Sequence, residues 1–274
     1  MIAETAGGAQ GVGPAAALAA ARARLGLVAL LLALAAIGWW WTANRMEGMD
    51  DGPWTALGAL GWFLGVWAVM MAAMMFPSVA PTVALYGRLT SRNGILQPLL
   101  FAAGYLITWT AAGLVVFGLA FIGSRVADGM LAWDRAGKWL AGVTLLVAAG
   151  YELTPLKDVC LGKCRSPLGS LLTSWKDGLA GSLQMGARNG AWCVGCCWAL
   201  MVSLLALGVM SVSWMALVAA LIAVEKIAPW RRAATYGTAL ILLSLGVLLL
   251  VAPHAVPGLT IPGGSMSQME PMHP

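Results

Sequence analysis

Trp192-Cys193-Val194-Gly195-Cys196-Cys197-Trp198-Ala199-Leu200-Met201 holds three of the chain's five cysteines and opens a long apolar run. On a helix, positions 193 and 197 lie one turn apart on a single stripe, with 196 on its shoulder and Met201 one turn further on. Read as the start of a membrane span, the stretch sets thiols at a helix N-terminus, where the macrodipole favours thiolate. Soft sulfur collected at one point suits Cu(I) or Zn(II) far better than Mg or Ca. The bland alternative is packing, because free cysteine behaves as a small buried hydrophobe. Packing alone gives no reason to gather so many soft ligands in one place.

The rest of the chain agrees with a membrane setting. Of 274 residues, 60% are hydrophobic and only 10% charged, whereas soluble domains carry about 25% charged residues. The expected fold is all-α, a polytopic helical membrane protein with about seven transmembrane helices and an interfacial helix before the fifth. Apolar runs place the spans near Leu25–Trp41, Ala56–Phe76, Pro98–Ile122, Lys138–Leu153, Cys193–Met210, Val212–Ile227 and Ala233–Val251. Pro77 and Pro81 are expected to end the second span, and Pro155 the fourth. Leu168–Leu183 reads as the amphipathic surface piece. Residues 1–24 read as a disordered tail, 25–252 as the transmembrane domain and 253–274 as a Met- and His-containing tail.

The formal net charge of +5 comes from basic residues spread through short loops, a pattern that sets topology and argues against nucleic acid as a partner. An N-terminus in the cytoplasm of a bacterial inner membrane leaves only Arg45, Arg125, Arg135 and Lys138 of the 16 Lys and Arg outside. The C-terminus then faces outward.

With that topology the soft and ionisable candidates gather at the inner face. The second span brings Met70, Met71, Met74 and Met75 there, and the fourth brings Glu152. A loop carries Cys160 and Cys164, and the fifth span starts with Cys193, Cys196 and Cys197, followed by Met201. The metal-ligand set read from the sequence is therefore Cys193, Cys196, Cys197, Cys160, Cys164, Met70, Met74, Met75, Met201 and Glu152. Each has a plainer reading. Methionines at i and i+4 fill gaps in cores, and Glu152 at a span end can snorkel to headgroups. A lone C-x3-C is weak, but paired with the downstream C-x2-C-C it follows the two-segment logic of thiolate sites. Met266, Met269, Met272 and His273 in the C-terminal tail add a second copper-like pattern, or are simply tail.

Met70-Met71-Ala72-Ala73-Met74-Met75-Phe76-Pro77, the Pro155-Leu156-Lys157 to Cys164-Arg165-Ser166-Pro167 stretch, Met185-Gly186 and the Cys193–Met201 block together resemble a bacterial family of predicted metal-binding integral membrane proteins. The resemblance covers roughly residues 54–232 and implies metal binding in a membrane without naming a substrate. The expected function is handling of Cu(I), by delivery, transfer or transport, with Zn(II) as the competing metal. Expected partners are the lipid bilayer and a soluble metal chaperone or metalloenzyme. No catalytic residues are assigned, and the absence of a G-x4-G-K-[ST] loop speaks against an ATP-driven pump on this chain alone. Two alternatives stay open: a membrane thiol–disulfide oxidoreductase using Cys193 and Cys196, and an accessory membrane subunit with a structural Zn site.

Overall fold

The structure, a computed structural model, describes residues 14–46, 60–90, 95–126, 138–173, 175–207 and 212–252. Among them, nine helices and no strand are present: α1 (Pro14–Met46), α2 (Leu60–Leu89), α3 (Leu96–Val126), α4 (Lys138–Glu152), α5 (Pro155–Arg165), α6 (Pro167–Leu172), α7 (Gly178–Leu207), α8 (Val212–Ile227) and α9 (Arg231–Val251). Helices are the expected answer in lipid, where every backbone polar group must find its partner within the protein.

Five of these helices (α1, α2, α3, α7 and α9) are long and apolar enough to cross a bilayer. The α4–α5 pair, bent by 67° at the Leu153–Thr154 break, makes up to six. α8, with 16 residues, falls short of a full span by length, so the described residues hold five or up to six spans where about seven were expected. The protein is an all-helical membrane protein.

Two boundaries depart from expectation because tertiary contacts override local signals. The second span does not stop at Pro77: α2 runs through Pro77 and Pro81 to Leu89. Proline removes the N–H that would bond the carbonyl four residues back, here that of Ala73. Trp39 of α1 replaces it, its Nε1 donating to the Ala73 carbonyl at 3.2 Å. Gly38 allows that approach, since a Cβ there would lie 3.0 Å from Ala73 Cβ. Trp39→Phe is expected to destabilise the α1–α2 pair by about 1 kcal/mol, the scale of an interhelical hydrogen bond in a membrane. Reversible unfolding in mixed micelles, compared with the parent chain, measures it.

The fifth span likewise starts earlier than Cys193. α7 begins at Gly178, whose φ of +83° suits glycine, and takes in the last part of the expected surface piece, from Gly178 to Leu183, while its first part, Leu168–Leu172, lies in the short α6. Cys193 therefore sits ~22 Å along a continuous helix, at ~1.5 Å per residue. The macrodipole argument for these thiols fails with it, because that effect fades within the first turn. The expected loop around Cys160 and Cys164 is also helical. Thr154 caps α5, accepting the Lys157 N–H at 3.4 Å, and Pro155 occupies its first turn.

α3 and α7 run parallel and make the closest helix crossing among the described residues. Gly104 and Gly186 lie so close to the opposite backbone that a Cβ at either would collide with it, at Leu183 and Phe101 respectively. Gly190 continues the stripe against Tyr105 and Thr108. Small residues at such crossings are how membrane helices bring backbones together. α1 lies antiparallel on α2, and α4 antiparallel on α9, where Gly142 faces Leu250 and Gly246 faces Leu146. α1 begins at Pro14, inside the stretch expected to be a tail. Residues 1–13 and the Met/His tail at 253–274 lie outside the described residues.

Candidate metal centre

The close α3–α7 crossing sets the level at which the thiols meet. Cys193, Cys196 and Cys197 are all buried on the inward side of α7, and their Sγ atoms lie within 4.8 Å of one another. The Cys196 and Cys197 sulfurs are 3.3 Å apart. α5 brings a fourth sulfur from more than thirty positions away in the chain: Cys164 Sγ lies 3.7 Å from Cys196 Sγ. All five cysteines are free, and Cys164 is the one that is not fully buried. These separations are what sulfurs sharing one ion require, since metal–sulfur bonds are ~2.3 Å for zinc.

The fifth thiol is placed differently. Cys160 is buried against the α7 backbone, where a Cβ on Gly195 would come within 2.9 Å of its Sγ. The glycine thus lets α5 lie flush on the thiol-bearing turn. Tyr151 braces the same turn, its hydroxyl donating to the Gly195 carbonyl at 2.5 Å while its ring meets Trp198 edge-on.

Two polar groups that sequence reasoning had not tied to the thiols contact Cys193 directly. Lys226 Nζ donates to Cys193 Sγ at 3.0 Å and to Ser78 Oγ at 3.1 Å. Tyr105 Oη lies 3.0 Å from the same sulfur. In an apolar interior a nearby ammonium strongly offsets negative charge on sulfur. No spacing signal in the sequence links Lys226 to Cys193. Tyr105 carries no signal at all beyond its place on α3.

Glu152 does not join the sulfurs. It is 2% exposed at the last turn of α4 and pairs with Lys157, itself fully buried. Lys157 also bonds both carboxylate oxygens of Glu225, at 2.9 and 2.7 Å. Glu225 therefore pairs with Lys157 and not with its chain neighbour Lys226. Each ion has a partner because an isolated charge in this setting would cost several kcal/mol.

The methionines lie on the same side of the fold. Met70, Met71, Met74 and Met75 are buried on α2, and Met201 is buried on α7. The two helices run antiparallel, with Tyr86 bonded to Ser182 and Ser78 linked through Lys226 to Cys193. By that register the four α2 methionines and Met201 lie further along the helices than Cys193. Side-chain packing accounts for their burial as it stands.

No curated protein and no solved structure is detectably similar to the chain. Residues 64–249, well over half of the chain and including every thiol, match a family described as copper chaperones. An all-helical membrane chain with a buried three-cysteine cluster, matched over that length, belongs to the PpoB2 family of copper chaperones.

Proposed function

We propose that the copper handled by this membrane protein is Cu(I), taken up as cargo by Cys164 and the Cys193, Cys196 and Cys197 thiols and passed on to a metalloenzyme. The observation that carries this reading is the meeting of four sulfurs from two separate segments, with Cys164 and Cys196 3.7 Å apart. Thiolates are the preferred ligands of Cu(I), and a chaperone needs neighbouring sulfurs so that the ion can change partners without leaving the site. Cys164, partly exposed at the edge, is the receiving ligand; the buried three form the holding site. Met74, Met75, Met70 and Met201 serve as thioether ligands further along the spans. Cys160 is held in reserve behind Gly195, and Glu152 belongs to the ion cluster rather than to the copper. A cytoplasmic N-terminus in a bacterial inner membrane, supported by the distribution of Lys and Arg, turns the thiols towards a soluble Cu(I) donor inside the cell.

Purified protein titrated with Cu(I) against a chromophoric competitor is expected to bind about one ion per chain, as one set of soft ligands implies. Zn(II) bound through the same sulfurs is the alternative that elemental analysis of the same sample separates. Lys226→Met is expected to weaken Cu(I) binding by about 10- to 100-fold, the range for groups that contact a ligand from outside the metal's own shell. Unaltered affinity in that variant would mean that Lys226 serves packing alone.

A further inference from the structure

α5 carries the partly exposed thiol Cys164 and buries Cys160 and Leu161 against the core. Leu156 and Val159, near its start, are 60% and 56% exposed. At one end the helix turns away from α4 through the 67° bend, and at the other Ser166 and Pro167 begin α6. In addition to its packing on α7, a polar clamp ties it to the C-terminal end of α8. Near the start of α5, Lys157 bonds the Glu225 carboxylate at 2.9 and 2.7 Å. At its last residue, Arg165 donates from Nη1 to the Glu225 carbonyl at 2.6 Å and from Nη2 to the Ala228 carbonyl. Helix C-termini leave carbonyls without intrahelical partners, and a cation there also favours the macrodipole. A planar guanidinium spans two carbonyls at once, which a lysine ammonium does not do with fixed geometry.

We infer that Arg165 is a positioning residue: by capping α8 it sets the rotation of the last turn of α5 and so holds Cys164 Sγ against Cys196. The two residues are adjacent in the chain, so anchoring one guanidinium fixes where the neighbouring sulfur points. The same α8 terminus carries Lys226 to Cys193. One helix end therefore registers the receiving thiol and the holding site against each other. This inference rests on the reading of Cys164 as the receiving ligand only in its consequence for copper; the clamp itself is tested without metal.

In the full-length chain with Cys160→Ser, Cys193→Ser and Cys197→Ser, dibromobimane becomes fluorescent only when it bridges Cys164 and Cys196. Arg165→Ala is expected to lower the bridging yield about tenfold, the scale of losing charge-assisted hydrogen bonds, while single-site alkylation of Cys164 rises. Arg165→Lys, which retains charge and stem, is expected to fall between the two and serves if the alanine variant does not fold. A parental bridging yield in both variants overturns the inference. In the otherwise native chain, Arg165→Ala is expected to slow Cu(I) uptake from its bicinchoninate complex as much as Cys164→Ser does. In the double variant no further slowing is expected, since both changes remove one step. Additive losses there overturn the inference. Lost bridging together with normal uptake in Cys164→Ser upholds the clamp and removes Cys164 from the copper path.

Discussion

A chain carrying Cys193→Ser, Cys196→Ser and Cys197→Ser is expected to lose stoichiometric Cu(I) binding while keeping its helical content. Serine preserves the shape of each site but replaces a soft ligand with a hard one, and Cu(I) discriminates strongly against hydroxyl oxygen. The remaining thiols do not make up the loss. Cys164 would stand alone beside serine oxygens, and Cys160 lies behind Gly195. Competition titration measures the copper, and circular dichroism with size-exclusion elution checks the fold. Copper retained at one equivalent by the folded triple variant would move the site elsewhere in the chain.

Lys157→Met is expected to be the most damaging single change to stability. It keeps the volume and the apolar stem but leaves the Glu152 and Glu225 carboxylates facing each other, both nearly fully buried. Removing one member of a buried ionic group costs about 3–5 kcal/mol, because the charge left behind has no partner. Glu152 already has one carboxylate oxygen, Oε1, without a hydrogen-bond partner, so the cluster has no spare donor to absorb the change. The same substitution combined with Glu152→Gln and Glu225→Gln removes the charges together and is expected to recover most of the loss. Unfolding in mixed micelles of the single and triple variants provides the comparison. Equal stability of Lys157→Met and the parent would show that the cluster is solvated or otherwise compensated.

The sulfur chemistry was legible in the sequence because it lies in local spacing. Cys193, Cys196 and Cys197 share a helix face by period alone, and five free thiols in an apolar chain point to soft-metal chemistry. The spacing paired both Cys160 and Cys164 with that block, and in the structure Cys164 lies 3.7 Å from Cys196 while Cys160 packs against Gly195. Element ends were less legible. Pro77 carries a strong stop signal, and nothing near it announces that Trp39 would satisfy the carbonyl it frees. The thiols were placed at a helix start for a similar reason. The polar stretch before Cys193 reads as loop, but its Gly186 and Gly190 are the contact surface on α3 that keeps it helical.

By itself, then, the sequence determined the solvent, the helical class and the local gathering of soft ligands, since each follows from composition or a period of a few residues. Tertiary structure alone decided which sulfurs meet, that Lys226 and Tyr105 attend Cys193, and that Glu152 pairs with Lys157. Those choices depend on side chains dozens of residues apart being brought together by close helix crossings. In an apolar interior, a charge or a freed carbonyl takes whichever partner packing delivers, and no local pattern records which one that is.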